Sequence, residues 1–427
     1  MATGPAPYHR GMSERAELTP TAVAAAAAVL RSVVRETPVE RSERLSLELG
    51  TDVWLKREDL QIGRSYKVRG AYNVISSLTP PEQRLGVTCA SAGNHAQGVA
   101  FSCRALGIHG RVFVPTSTPR QKRDRITALG RPWVELVLAG SNYDEASAAA
   151  LDDAATTGSV YVHPFDDVRT IAGQGTVGVE LGEQCRDGMG TVIVPVGGGG
   201  LIAGIAMWLK QHTPHVRVVG AEPAGAASMA AALAAGEPIP LDHIDSFVDG
   251  AAVGTVGRLT YPIVSDLVDD MVTVPEGAVC TELLDLYQTE GIIAEPAAAL
   301  ASAAARRLPD LVGPVVCIVS GGNNDVSRYA DIVERSLLFE GLKHYFLVTF
   351  PQEPGALRRF LDDILGPDDD IALFDYVKKN SRETGPALVG IELARAGDID
   401  ALLDRMAASP LQIERVPPGS PLFTFLV

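Results

Sequence analysis

Basic character, paired cysteines and long apolar runs are all missing from this 427-residue chain, and each absence removes a class of function. Lysines and arginines number 37 against 52 aspartates and glutamates, a formal net charge of −15. Such a surface repels phosphate backbones and anionic headgroups, so neither nucleic acid nor membrane is an expected partner; a locally positive pocket for a small anion stays open. The five cysteines are Cys89, Cys103, Cys185, Cys280 and Cys317. Their number is odd and no two are spaced as zinc ligands, which points to buried, reduced thiols in a reducing cytosol. No run approaches the roughly 18 apolar residues of a membrane span. The opening MATGPAPYHRGMSERAELTP has no apolar stretch of a secretory signal, so a cytoplasmic location is expected.

What is present is ordinary globular material, 46% apolar and 21% charged, in a chain long enough for two or three domains. A first helix is expected after Thr19-Pro20. From about Val53 to Ser320, short β-branched runs alternate with helical patterns. The strand candidates are Gly86–Ala90, Arg111–Val114, Val134–Val137, Thr191–Val196, Val216–Ala221 and Val315–Ser320. Several are apolar at nearly every position, as parallel strands covered on both faces are. Asn94–Leu106 and Leu201–Gln211 are long enough for helices, and the whole reads as α/β.

The texture changes near Ser336–Lys343. Beyond it His344–Phe350, Ile371–Val377, Ala387–Leu393 and Gln412–Val416 read as strands, with Pro421–Val427 as a last apolar piece. A helix over Gly355–Leu365 would turn Leu357, Phe360, Leu361 and Ile364 to one face. A second, capped by Asp398, would turn in Ile399, Leu402, Leu403 and Met406. The order βαββαβ is the ferredoxin-like α+β unit, present once.

Four features of the first part can carry chemistry. Lys56-Arg57-Glu58-Asp59 is followed by Ser65-Tyr66-Lys67-Val68-Arg69-Gly70. If Ser65 caps a helix, Lys67 lies in its first turn, where the dipole disfavours a cation and lowers the pKa. Such an amine attacks an aldehyde more readily. Ser91-Ala92-Gly93-Asn94-His95 joins the end of an apolar strand to a helix start, a place suited to a carboxylate or phenolate oxygen. His95 there is either a general base or a structural histidine. Gly197-Gly198-Gly199-Gly200 follows a buried strand and opens a helix, so its N–H groups can turn around a phosphate. Ser320-Gly321-Gly322-Asn323 ends another apolar strand, where a hydroxyl could meet a ring nitrogen.

In this order, with KREDLQ and His163–Asp167 (HPFDD) added, these motifs resemble the fold-type II pyridoxal-phosphate enzymes, most nearly the serine/threonine dehydratase branch. The resemblance covers about residues 20–335. The tail resembles an ACT-type regulatory domain, and a core with one such tail is the arrangement of the short biosynthetic threonine dehydratases. The resemblance implies two α/β subdomains, the smaller at roughly 55–158, within a catalytic domain of residues 1–338, and a regulatory domain of residues 339–427. It implies pyridoxal phosphate bonded to Lys67, which also moves the substrate's Cα proton. Asn94 would hold the phenolic oxygen, Gly197 to Gly200 the phosphate, and Ser320 would face the pyridine nitrogen. Ser91 and Asn94 would hold the substrate carboxylate.

The implied reaction is β-elimination from L-threonine, with L-serine secondary, giving 2-oxobutanoate and ammonia. L-Isoleucine would inhibit at the tail, through Gly355, Leu357 and Leu361, unless those leucines simply face the tail's own core. A homotetramer or homodimer is implied. Related racemases place a serine base where Ala92 stands, so racemisation is not expected. Cation-binding relatives add a carboxylate to one like Glu222, and Ser228 stands at that place, so no metal is expected, with Glu222 as the one candidate ligand that keeps such a site open. A catabolic serine/threonine dehydratase and a non-catalytic amino-acid sensor remain as alternatives.

Overall fold

The computed structural model describes residues 18–186, 188–376, 383–418 and 420–426. The chain divides into two compact units: one takes the residues up to Pro275 with Leu286–Asn324, the other Glu276–Asp285 with the chain from Asp325 onward.

Two sheets build the first unit. The larger has six strands in the order Val39–Arg41, Val53–Arg57, Val315–Val319, Thr191–Pro195, Arg217–Pro223, Asp270–Val274. All neighbours are parallel except the first pair. The central strands Val315–Val319 and Thr191–Pro195 are buried at every position, which is why the sequence shows unbroken apolar runs there. The smaller sheet is wholly parallel, in the order Val134–Leu138, Gly110–Val114, Val87–Ala90, Val160–Tyr161. The helix Asn94–Leu106 falls where the sequence places it, Gly200–His212 starts one residue early, and Pro20–Leu30 follows Thr19, whose side chain accepts from Ala22 N–H. Among the described residues no helix is long and apolar enough to cross a membrane.

Charge is buried between these elements. Arg69 and Lys56 are fully buried, as is Glu58. The Arg69 guanidinium donates to Glu58 at 2.7 and 2.9 Å and to Glu180 at 2.6 and 3.0 Å. Lys56 Nζ adds Glu180, Gln184 and the Thr37 carbonyl. Burial alone would lower the Arg69 pKa, but the two carboxylates raise it above its ordinary value. The KRED stretch is therefore an anchor: it ties the helix Lys67–Ser76 to the strand end at Arg57 and to the helix Val168–Gln184.

In the second unit four antiparallel strands stand in the order Asp370–Tyr376, Thr384–Glu392, Lys343–Pro351, Gln412–Arg415. The helices Ala356–Ile364 and Ile399–Ala408 complete the ferredoxin-like order. Val377, assigned to a strand from the sequence, lies outside the described residues. Phe346, Val348, Phe350, Phe360, Ile364, Val389, Ile391, Leu402 and Met406 form its core. Two expectations are corrected here. Asp398 stands at the N-cap position but makes no side-chain cap bond; its carboxylate pairs instead with Arg395 at 3.1 Å. Leu357 and Leu361 are 43% and 40% exposed, so the inward face of their helix is only Ala356, Phe360 and Ile364.

Removing one partner from a buried ion pair leaves the other charge uncompensated, at a cost of about 3–5 kcal/mol. Glu58→Ala should therefore lower the urea midpoint of the larger unit far more than Asp124→Ala, whose exposed Arg120 pairing is 3.3 Å long. Equal midpoints for the two variants would contradict the anchoring role of Glu58.

Candidate functional site

Lys67 is the first residue of the helix Lys67–Ser76. Ser65 does not cap it. Tyr66 holds the N-cap position without a side-chain cap bond, and Ser65 is extended, in an isolated antiparallel bridge with Gly321. Its backbone is committed to that bridge, so the helix starts beyond the reach of its hydroxyl. The bridge and the Tyr66 N–H bond to Ser320 O at 3.3 Å tie the lysine to the strand end Val315–Val319. Lys67 Nζ donates to Pro164 O at 3.0 Å. Its pKa is lowered to about 8, as the sequence led one to expect in direction, but the cause is burial, opposed by the charge of Glu295.

Contacts join the other three features to this lysine. The helix Asn94–Leu106 crosses at Gly98, where a Cβ would stand 3.0 Å from Lys67 O; only glycine lets the two helices approach so closely. Asn94 Nδ2 donates to Glu295 at 2.7 Å, and its Oδ1 accepts from Asn323 Nδ2 at 2.7 Å. Ser91 Oγ accepts from Gly93 N–H at 3.1 Å and so shapes the turn. The residues after Pro164 lead to the glycine loop: a Cβ on Gly198 would lie 2.3 Å from the Phe165 ring, and one on Gly200 3.0 Å from Phe165 Cα. Thr260 Oγ1 donates to Gly198 O at 2.6 Å. Asp166 accepts from the N–H groups of Arg258 and Leu259 at 3.1 and 2.7 Å, which fixes the segment that carries Thr260.

The histidines are structural. His95 Nε2 donates to Val162 O at 2.8 Å, and burial lowers its pKa to about 3. His163 Nδ1 accepts from the Asp166 and Phe165 N–H groups at 2.7 and 3.3 Å; burial, against Asp166 and Asp167, lowers it to about 4. Glu222 is fully buried and accepts from the N–H groups of Met229 and Ala230 at 2.7 and 2.9 Å, beside the unpartnered hydroxyl of Ser228. Burial raises the Glu222 pKa to about 7. No cluster of three metal-type ligands occurs among the described residues. Sequence reading missed Glu295 and Thr260, and gave Asp166, inside the HPFDD motif, no role of its own. A lone carboxylate in the apolar run Ile292–Leu300 was the available signal for the first.

The residues fit a phosphorylated pyridine aldehyde. Among the described residues the N–H groups of Gly197, Gly198, Gly199 and Gly200 have no protein acceptor, and they stand at the start of the helix Gly200–His212. Phe165, Met229 and Thr260 leave no room for side chains on that loop, so an anion meets bare backbone. Ser320 is buried and its hydroxyl has no protein partner among the described residues. Lys67 has the lowered pKa that attack on an aldehyde needs.

Comparison with known proteins agrees. A family described as "Pyridoxal-phosphate dependent enzyme" matches residues 30–321, and one described as "C-terminal regulatory domain of Threonine dehydratase" matches residues 334–426. The chain is 59% identical to L-threonine dehydratase biosynthetic IlvA of Mycobacterium tuberculosis, over 94% of each chain. It is 54% identical to the protein of the same description from Corynebacterium glutamicum, over 97% of each. Among solved structures, the processed form of threonine deaminase isoform 2 from Solanum lycopersicum superposes with a TM-score of 0.71 at 39% identity, covering 74% of this chain and 93% of that one. Maize serine racemase superposes with a TM-score of 0.70 at 31% identity, covering 75% and 98%.

Protein stripped of the cofactor should regain it at a rate set by the uncharged fraction of Lys67. The rate should rise about tenfold per pH unit below about 8 and level off above it, whereas an ordinary lysine would keep rising to about 10.4. Following the absorbance of the bound cofactor during reloading checks this; a rate still climbing from pH 9 to 10 would remove the special status of Lys67.

Proposed function

The chain belongs to the pyridoxal-phosphate dependent enzymes, among the biosynthetic L-threonine dehydratases, and from that premise we propose that it converts L-threonine to 2-oxobutanoate and ammonia for isoleucine synthesis. The observation that carries the reading is the contact chain joining Lys67 to the turn at Asn94, the glycine loop and Ser320.

Bound there, pyridoxal phosphate supplies an electron sink for the pair left when the substrate Cα loses its proton. In this reading the backbone of Gly197 to Gly200 holds the phosphate with unpaired N–H groups, which need no reorganisation. Asn94 donates to the phenolic oxygen. Ser320 faces the ring nitrogen with a neutral hydroxyl, which does not enforce ring protonation as a carboxylate would, so the site favours prompt loss of a β leaving group. Ser91, Asn94 and the N–H groups of their turn orient the substrate carboxylate. Lys67 Nζ takes the Cα proton, and the β hydroxyl departs as water with a proton returned to it, so that the Cα hydrogen and the hydroxyl together balance as one water. The released enamine tautomerises and is hydrolysed to the 2-oxo acid and ammonia. Ala92 offers no second proton carrier, so the reaction runs to elimination and not to racemisation.

The reading extends to a catalytic part over residues 1–338 and a regulatory part over 339–427, to L-serine as a slower substrate, and to a cytoplasmic homotetramer or homodimer. It also places L-isoleucine at the tail. Gly355 has φ +87°, and the helix that follows presents Leu357 and Leu361 to solvent, where they can meet an aliphatic ligand.

Two measurements test it. Lys67→Ala should abolish the cofactor's absorbance near about 410 nm and nearly all ammonia release; an inert, colourless wild-type protein would instead favour a sensor. Leu357→Ala and Leu361→Ala should keep threonine turnover and raise the isoleucine needed for half-inhibition about tenfold each, the effect of losing about 1.4 kcal/mol of apolar contact. Unaltered isoleucine response in both would place the effector elsewhere. Response to valine or to neither would favour the catabolic reading.

A further inference from the structure

One buried carboxylate beside the site has no part in the scheme above. Glu295 is 7% exposed and stands at the N-cap position of the helix Pro296–Ala305, whose residues are all buried. It forms no ion pair among the described residues. Its Oε1 accepts from Asn94 Nδ2 at 2.7 Å, and its Oε2 accepts from Asn323 N–H at 3.3 Å. Its own N–H donates to Gly321 O at 3.1 Å. A Cβ on Gly321 would lie 2.6 Å from Oε1, so the carboxylate fits only because that strand end carries no side chain. Burial and Asp249 raise its pKa, to about 7, against the pull of Asn94, Asn323 and Lys122.

An amide can exchange its oxygen and nitrogen ends by a half-turn. At Asn94 both ends are fixed by opposite demands. Its Oδ1 accepts from Asn323 Nδ2, which is itself held by Gly63 O at 2.7 Å. Its Nδ2 faces a carboxylate that, when ionised, has no proton to give. One N–H of Nδ2 is left over. A carboxylate without a cationic partner is costly to bury, and such groups are found where a site needs them.

We propose that Glu295 is a positioning residue for the lyase reaction, locking the Asn94 amide with its nitrogen turned to the cofactor's phenolic oxygen. This rests on the role given to Asn94 above. The carboxylate acts on the reaction only through that amide: with it, Asn94 is a fixed donor; without it, the half-turned amide presents an oxygen to an oxygen.

The test uses the holoenzyme and the variants Glu295→Ala, Glu295→Gln, Asn94→Ala and the two double variants. The readouts are kcat and KM for threonine, the cofactor Kd, and the pH at which the bound cofactor's absorbance changes. Glu295→Ala should lower kcat about tenfold to a hundredfold, as loss of a partner that orients a ligating group does. KM should move less, and the spectral transition should shift in the direction seen for Asn94→Ala. Glu295→Gln keeps one acceptor and should recover part of the loss. Neither substitution at 295 should add to Asn94→Ala, because both act through one group. Full additivity, or a loss of thermal stability with spectrum and kcat unchanged, would overturn the proposal while leaving Asn94 in its role. An Asn94→Ala enzyme with wild-type spectrum and kcat would overturn the role of Asn94 and the proposal together. If Glu295→Ala does not fold, the Glu295→Gln pair decides by the same additivity.

Discussion

A fully buried guanidinium governs the geometry of the catalytic unit. Arg69 is held by Glu58 and Glu180, and it lies two residues along the helix from Lys67. Three elements meet at this one group: the strand end at Arg57, the helix Lys67–Ser76 and the helix Val168–Gln184. Burying such a cluster gives little net stability compared with an apolar core of the same volume. What it supplies is a single allowed arrangement, since any slide of one helix leaves a charge unpaired. The same long helix is preceded by His163–Asp167, whose Pro164 O accepts from Lys67 and whose Phe165 packs on the glycine loop. The lysine and the glycine loop are thus referred to one anchor.

Around that anchor, burial drives the titratable groups of the cleft toward their neutral forms. Lys67 falls to about 8, His163 to about 4 and His95 to about 3, while Glu295 rises to about 7. Near pH 7 the two histidines are therefore uncharged and Glu295 is about half ionised, while Lys67 keeps most of its proton until the pH passes about 8. An arriving anion meets backbone N–H groups and hydroxyls, which can hold it without repelling the next one. A chain of net charge −15 can in this way admit a phosphate and a carboxylate together.

The pieces legible in the sequence are those whose signal is local. Apolar runs ending in Ser91, Gly197 or Ser320 mark buried parallel strands, and small polar residues after them mark the ligand end of the sheet. What escaped notice depends on pairs far apart in the chain: Asn94 with Glu295, Arg69 with Glu180, Asp166 with Leu259. Local preference also misled where the fold found another use for a residue. Ser65 is engaged in a bridge to Gly321, and Asp398 turns to Arg395, so neither caps its helix. At Leu357 and Leu361 the spacing was right for a helix, but periodicity does not give the width of the buried face.

The fold by itself does not choose the reaction. Maize serine racemase and the tomato threonine deaminase superpose on this chain almost equally well, with TM-scores of 0.70 and 0.71. Discrimination must then come from side chains within the common frame. Racemisation needs a proton carrier on each face of Cα; in the proposed function Lys67 serves one face, and the alanine at 92, where related racemases carry a serine, cannot serve the other. Elimination needs a ring that does not hold the electron pair for long, and an uncharged hydroxyl at Ser320, in the ring-facing role proposed for it, would meet that need. In the proposed function a single lysine base, an alanine at 92 and a neutral hydroxyl at Ser320 all favour elimination, a choice of chemistry that the fourteen strands of the described residues and their packing leave open.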